Sequence, residues 1–282
     1  MMKYLLSTLM LLFIFGELRA QQSSPINVVT YNLRYNNPND GMNAWPYRKQ
    51  QVEDLIRYHS FDIFGTEEGL IGMLNDLSEM KEYVRTGGGR DDGKQAGEHS
   101  AIFYRIDRFQ LLKYGDFWLS ETPDKPSYGW DATGNRRICS WSKFKDKTDG
   151  KEFYFFCVHF DNQGVIARHE SSKLMVKKIK EIVNDGSPIF CVGDFNSTPE
   201  TEQIQVISSF LQDSHKITQM LPYVPVGTFE GFDYANAPLK DRIDYIFVSN
   251  KITVLKYAVL TDSYDHRYPS DHLPVVAKVI IQ

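Results

Sequence analysis

Short apolar runs punctuate the chain, and most alternate or are rich in β-branched and aromatic residues. They fall at 26–32 (INVVTYN), 61–68 (FDIFGTEE), 99–105 (HSAIFYR), 109–119 (FQLLKYGDFWL) and 139–145 (CSWSKFK). Further runs follow at 152–160 (EFYFFCVHF), 188–195 (PIFCVGDF), 242–249 (RIDYIFVS), 252–260 (ITVLKYAVL) and 274–281 (PVVAKVII). Each has the length and residue types of a half-buried or fully buried strand. Helical spacing appears between them. Val52, Leu55, Ile56 and His59 form one stripe, Met175, Ile179, Ile182 and Val183 a second, and Ile204, Ile207, Phe210 and Leu211 a third. These stripes read as faces turned to a core, with His59 a packed or half-exposed helix residue and not a ligand. Strands outnumber helices and often follow one another directly. That favours sheets packed on each other with helices outside, over a simple alternating parallel sheet.

The strand ends break the apolar pattern. The first run ends in Asn32, the second in Glu67 and Glu68, the sixth near His159, and the seventh in Asp194 with Asn196 just beyond. Asp244 opens the eighth run, and Ser270-Asp271-His272 precedes the last. Turn chemistry accounts for any one of these, since Asn and Asp favour turns. Their recurrence points to convergence, because neighbouring strands deliver their ends to one rim. Carboxylate and amide oxygens suit Mg²⁺ or Mn²⁺. Two His with carboxylate partners suit proton transfer and stabilisation of developing charge. No Ser or Cys nucleophile with a fitting base is evident. The glycines of TGGGRDDG (86–93) lack the Lys-Ser/Thr of a phosphate loop and read as a flexible loop. The inventory points to metal-assisted attack of water on an electrophile such as a phosphate ester.

Composition narrows the picture only slightly. The 282 residues are 42% hydrophobic and 24% charged, with a net charge of −4. Non-specific binding to nucleic acid normally needs a basic footprint, which the bulk charge does not supply, although a locally basic cleft is compatible with it. Residues 1–20 carry Lys3, an apolar stretch from Tyr4 to Phe15 and a small residue at Ala20. That is the layout of a secretory signal peptide, too short to span a membrane comfortably. It predicts an exported protein, periplasmic or extracellular, with no membrane span after cleavage. No Cys lies near Ala20 to carry a lipid. Residues 21–282 then form a single domain. Cys157 and Cys191 lie in apolar runs and read as small hydrophobes; with Cys139 they leave room for one disulfide and at least one free thiol.

TYNLR, FGTEE, VHFD, GDFNSTP, RIDYIFVS and SDHLPV occur in order from about Ile26 to the C-terminus. The chain thereby resembles the endonuclease/exonuclease/phosphatase family, which includes the DNase I-like nucleases. The resemblance implies an α+β fold: a four-layer α/β sandwich of two face-to-face mixed β-sheets flanked by helices. It also implies hydrolysis of phosphoester bonds by activated water with a divalent metal, Mg²⁺ or else Mn²⁺. In that pattern Asn32, Glu68 and Asp271 match metal-site positions, with Glu68 the direct ligand. Asp194 and Asn196 match the pair that orients water and contacts a phosphoryl oxygen. His272 matches the terminal catalytic His, with Asp244 holding its other ring nitrogen. His159 matches a second His, Glu98 falls where its carboxylate partner would be, and Arg137 resembles a phosphate-contacting Arg. Which His is acid and which is base stays open.

The sequence departs from the usual pattern at Thr66-Glu67, where Leu-Gln is more common. Glu67 is expected to face solvent, since an unpaired buried charge is costly. The stretch 117–137 carries Trp118, Tyr128 and Trp130. Trp130 is a candidate for stacking on a base or sugar, against the simpler reading that Trp118 packs in the core and the rest shapes a lid. Nucleotides, oligonucleotides, sugar phosphates and lipid head groups all remain candidate substrates, and no obligate protein partner is signalled. The alternative is a secreted binding protein that retains the fold without catalysis, which the full set of metal and proton-transfer residues disfavours.

Overall fold

A computed structural model describes residues 24–223 and 225–282; the predicted signal peptide lies outside the described residues. The elements are, in order, β1 (Ile26–Asn32), α1 (Trp45–Tyr58), β2 (Ile63–Gly69), α2 (Ile71–Leu77), β3 (Tyr83–Thr86), β4 (His99–Arg105), β5 (Phe109–Trp118), β6 (Ile138–Asp146) and β7 (Glu152–His159). There follow α3 (Val165–Ile182), β8 (Ile189–Asp194), α4 (Glu202–Ser208), β9 (Gln212–Asp213), α5 (Ser214–Ile217), β10 (Asp244–Val248), β11 (Ile252–Val259) and β12 (Val275–Ile281). All the strands expected from the apolar pattern are present, with ends shifted by a residue or two. The short strands β3 and β9 and the short helices α2 and α5 are additions. Each is too brief to show a period of its own.

The strands form two six-stranded sheets, ordered β11-β12-β1-β2-β4-β3 and β5-β6-β7-β8-β10-β9. Both are mixed: β1 runs parallel to β2 and β7 parallel to β8, and the remaining pairs are antiparallel. Alternation along each strand assigns side chains to layers. Val28 and Ile63 of one sheet meet Phe153, Phe155, Phe190 and Val192 of the other in the central layer. Val29, Phe64 and Phe103 point outward against Val52, Leu55 and Leu74 of α1 and α2. Cys191, Phe156 and Phe247 point outward against Met175, Ile179 and Ile207 of α3 and α4. Being covered on both faces explains why the central strands read as continuous apolar runs. The result is the four-layer α/β sandwich that the resemblance implied. Cys139, Cys157 and Cys191 are all buried free thiols, so the optional disulfide is absent. No helix among the described residues is long and apolar enough to cross a membrane.

The two parallel pairs matter most for function. They send the C-terminal ends of β1, β2, β7 and β8 to the same rim. The antiparallel β10 and β12 return to it with their N-terminal ends.

Phe190 sits in the central layer, edge-on to Phe153 at 5.4 Å and tilted against Phe155 at 6.2 Å. Phe190→Ala is expected to cost about 3–5 kcal/mol of unfolding free energy through lost burial and an unfilled cavity, read as a lowered urea midpoint with an unchanged slope.

Candidate active site

At the rim, the ends of the strands line one polar cleft of about 410 Å³. Its walls include Glu68, Glu98, Arg137, His159, Asp194, Asn196, Asp271 and His272. Nearly the whole predicted set is therefore in one place. Asn32 and Asp244 lie just beneath it, fully buried.

Asp194 is the hub. Its Oδ2 accepts a 3.0 Å hydrogen bond from Asn32 Nδ2 of the opposite sheet. The same oxygen lies 3.5 Å from His159 Nε2 and 3.8 Å from His272 Nε2. Its Oδ1 accepts from the backbone N–H of Asn196 at 2.8 Å. Gly193 makes this approach possible: a Cβ there would lie 1.9 Å from Val158 O, and its φ of +148° favours glycine. Asn196 Nδ2 in turn lies 3.1 Å from His159 Nε2 and donates to Phe160 O at 3.0 Å.

His272 Nδ1 and Asp244 Oδ2 are 2.9 Å apart. The partnership arises from register, since Asp244 pairs directly with Asp194 across β10 and β8. Thr228 Oγ1 donates to the same Asp244 oxygen at 2.6 Å and accepts the backbone N–H groups of Ile243 and Asp244. Burial alone would lower the His272 pKa, but Asp244 and Asp194 outweigh it and hold it well above the usual imidazole value. His159 moves the other way: burial, and then Arg137, push it well below. The two imidazoles thus differ in charge at neutral pH, which sequence could not assign. Burial, and next the Asp244 charge, raise the Asp194 carboxyl.

Glu68 and Asn196 have φ of +61° and +45°. Such left-handed backbone is uncommon for a glutamate, and here it coincides with a register shift of β2 against β4 between Thr66 and Gly69. The irregularity turns Glu68 into the cleft, where its Oε1 accepts from Asn32 Nδ2 at 3.3 Å and its Oε2 from Tyr35 N at 3.0 Å. Strain of this kind is typical of functional positions.

Three expectations need correction. Glu67 does not face solvent: it is fully buried between the sheets, accepting from Thr30 Oγ1 at 3.1 Å and Cys157 Sγ at 3.2 Å. Burial, and then Asp244, push its carboxyl well above the usual range, so the neutral acid avoids the cost of a buried charge. Glu98 is not the partner of His159. It pairs with Arg90 at 2.6 Å. Trp130 does not line the cleft; it sits on a strained turn at φ +49° with its N–H on Glu121. Trp118 does pack inward, and its indole N–H donates to Arg90 O at 2.7 Å.

Arg137 is nearly fully buried and bonds Asp161 Oδ2 and Asn162 Oδ1, while its Nη1 has no partner among the described residues. Arg34, Arg90, Asn135, Asn162 and Phe229 also line the cleft. They lie in loops with no periodic signal, and only Arg34, inside TYNLR, sits in a recognisable motif. Glu230 was missed as well. It is buried beside Asp271, with both carboxylate oxygens unpartnered among the described residues, and burial and then Asp271 push its pKa up to about 8.

A cation could be held in two ways. Ligand atoms of Asp194, Asp244 and His272 lie within 4.8 Å of one another, but that closeness comes from the His272–Asp244 hydrogen bond, and a cation there would displace a bound proton. Glu68 and Asp271 fit better. Both line the cleft, both offer hard oxygens, and Asp271 Oδ1 is buried without a partner among the described residues, which is costly unless something neutralises it. Asn32 bridges Glu68 to Asp194, as its hydrogen bonds to both show.

In metal-free protein, ¹⁵N chemical shifts of the imidazoles should show His272 still protonated where His159 is neutral, with His272 titrating above and His159 below the ordinary histidine range. Titration of both rings together near the ordinary value would contradict this electrostatic arrangement.

Comparison with known proteins agrees with the geometry. The model for the Endonuclease/Exonuclease/phosphatase family matches residues 29–272. A family protein of Bacteroides thetaiotaomicron is 43% identical, covering 93% of this chain and 99% of its own, with a TM-score of 0.89. The mannosyl-6-phosphatase Bt3783 of the same organism is also 43% identical, covering 91% of this chain and all of its own, with a TM-score of 0.88. The catalytic domain of human Nocturnin, solved with bound sulfate, shares the fold at 19% identity and a TM-score of 0.72, covering 92% of this chain and 94% of its own. Motif order, sandwich architecture and a family match running from β1 to His272 converge, and the chain belongs to the endonuclease/exonuclease/phosphatase family.

Proposed function

We propose that this protein is a divalent-metal-dependent phosphoester hydrolase that acts on small phosphomonoesters, by water and without a covalent enzyme intermediate. The observation that carries the reading is the position of Asp194. One buried carboxylate touches Asn32 of the opposite sheet, lies within 4 Å of both imidazoles, and anchors the backbone of Asn196. That is the arrangement expected of a group that orients a water molecule at a phosphorus atom. Mg²⁺ or Mn²⁺, held by Glu68 and Asp271, would supply Lewis-acid polarisation of the phosphoryl group.

The chain's own residues would do the rest. Asp194 is raised toward neutrality by burial, which suits a group that takes up a proton. His272, fixed through Nδ1 by Asp244, presents a charged Nε2–H that offsets developing negative charge. The unpartnered Arg137 Nη1 supplies a further donor to a phosphoryl oxygen, and Asn196 Nδ2 can join it by exchanging its bond to Phe160 O. His159 is neutral and held beside Asn196, so it can accept or relay a proton without adding charge.

A monoester is favoured because the cleft is small and polar, and because the similar mannosyl-6-phosphatase acts on that class by its name. The overall charge of −4 gives no support to a long polyanion. The leader-like residues 1–20 support action outside the cytoplasm.

Turnover of an aryl phosphomonoester should require Mg²⁺ or Mn²⁺, stop with EDTA and exceed turnover of the corresponding diester. Asp194→Ala and His272→Ala should each lower kcat by about 10²–10⁴-fold, the range for loss of a general acid–base group, while the circular dichroism spectrum stays native. Full activity in EDTA, or in either variant, would refute the proposal. Export is checked separately by N-terminal sequencing of secreted protein, which should begin at Gln21.

A further inference from the structure

The cleft contains polar groups that the hydrolytic step does not use. Arg90 is pinned on its loop by the Trp118 indole, which donates to its carbonyl, and by its own N–H on Glu98 O at 2.9 Å. Its guanidinium then divides its donors between Glu98 Oε2 at 2.6 Å and Asn135 Oδ1 at 2.7 Å. Arg137 makes the same kind of bridge, to Asp161 Oδ2 at 3.2 Å and Asn162 Oδ1 at 2.9 Å. A guanidinium has no acceptor. Each asparagine must therefore turn its carbonyl toward the arginine and keep its NH₂ donors for something else. Among the described residues nothing accepts them, and nothing donates to Glu98 Oε1.

We infer that Glu98, Asn135 and Asn162 form a subsite for the vicinal hydroxyls of a sugar ring, braced by Arg90 and Arg137; this rests on the phosphoester-hydrolase reading above. A hydroxyl both donates and accepts. One free carboxylate oxygen and two amide NH₂ groups lining the same cleft meet both needs, and the planar arginines hold all three in place at low entropic cost. The cleft supplies little for other leaving groups. Its less polar lining is limited to Tyr35, Phe229 and Ile243, and Phe229 is already packed on the His272 ring at 4.9 Å. The loop aromatics Tyr128 and Trp130 lie outside it, which leaves Tyr35 and the exposed Phe229 as its only aromatic faces among the described residues. Glu98, expected as a partner for His159 and found paired with Arg90, thereby acquires a role in substrate choice.

Hydroxyl recognition could serve a hexose phosphate or the ribose of a nucleotide, and substrate pairs separate the two. With the Mg²⁺-loaded enzyme, kcat/KM for a hexose 6-phosphate should exceed that for cyclohexylmethyl phosphate by about 10–100-fold, the discrimination expected from hydrogen bonds to charged groups. A ribonucleoside 5′-monophosphate against its 2′,3′-dideoxy counterpart reads the ribose in the same way, and the larger ratio names the ring. Glu98→Gln and Asn135→Ala should shrink the larger ratio by about tenfold, chiefly through KM. The same pairs are also measured by calorimetric binding to Asp194→Ala protein, which reports the subsite even if no turnover is found. Tighter binding of the hydroxylated member supports the inference in that case, while absent turnover in the native enzyme counts only against the hydrolytic reading. Equal binding and equal turnover of hydroxylated and deoxygenated partners, or equal losses on both in the Glu98→Gln variant, would overturn the subsite.

Discussion

The hydrogen bond from Asn32 Nδ2 to Asp194 Oδ2 joins residues 162 positions apart and ties the two sheets together at their shared rim. The functional cluster depends on that closure. Asn32 ends β1 of one sheet and Asp194 ends β8 of the other, so a slip of either strand by one residue would turn its polar end to the wrong face. The closure is braced from behind. Ser270 Oγ donates to Asn32 O at 2.7 Å, bringing the Asp271–His272 segment onto β1. Buried Arg48 of α1 bonds the carbonyls of Leu33, Arg34 and Pro269, holding the loops on either side. These donors satisfy carbonyls that the strands leave unpaired where they end. The cleft is therefore rigid for a backbone reason, and its side chains inherit that rigidity.

Much of this was legible in the sequence because the two periodicities of buried strands and the polar residues that end them are local. A run such as IFCVGD can be recognised without knowing its neighbours, and Asp194 and Asn196 stand out against it. The order of motifs then carried the fold. What remained hidden depends on contacts between distant segments. Glu67 and Glu68 look alike in FGTEE, yet the irregular pairing of β2 with β4 sends Glu68 to the cleft and Glu67 between the sheets beside Cys157. Glu98 looked like a partner for an imidazole because a carboxylate was wanted there. Its real partner, Arg90, sits in a glycine-rich loop whose sequence reads as flexible but which Trp118 fastens down. Trp130 was singled out for its aromaticity, and its backbone turn places it outside the cleft lining. The motif singles out Arg137, but its unpartnered donor follows only from the particular bonds it makes to Asp161 and Asn162.

The charge pattern connects these details. Carboxyl groups crowd a poorly hydrated rim, where each ionised group raises the cost of the next. Three devices relieve the crowding. Glu67 stays neutral, His272 carries a proton between Asp244 and Asp194, and Arg34 stands 3.8 Å from Asp271 while Arg90 pairs with Glu98. Around Asp271 and Glu230 the relief is incomplete: Asp271 Oδ1 and both Glu230 oxygens accept no hydrogen bond among the described residues. Asp271 thus presents an unpartnered oxygen on the acidic side of the cleft, while unpartnered donors of Arg137, Asn135 and Asn162 lie along its wall. A cation and an anion bound together satisfy both regions, whereas either alone satisfies only one. A phosphorylated substrate carrying a divalent ion is such a pair. On the proposed reading, this reciprocal need would let acidic groups dominate a cleft that takes an anionic substrate, and the protein's overall negative charge would be no obstacle to phosphate-ester chemistry.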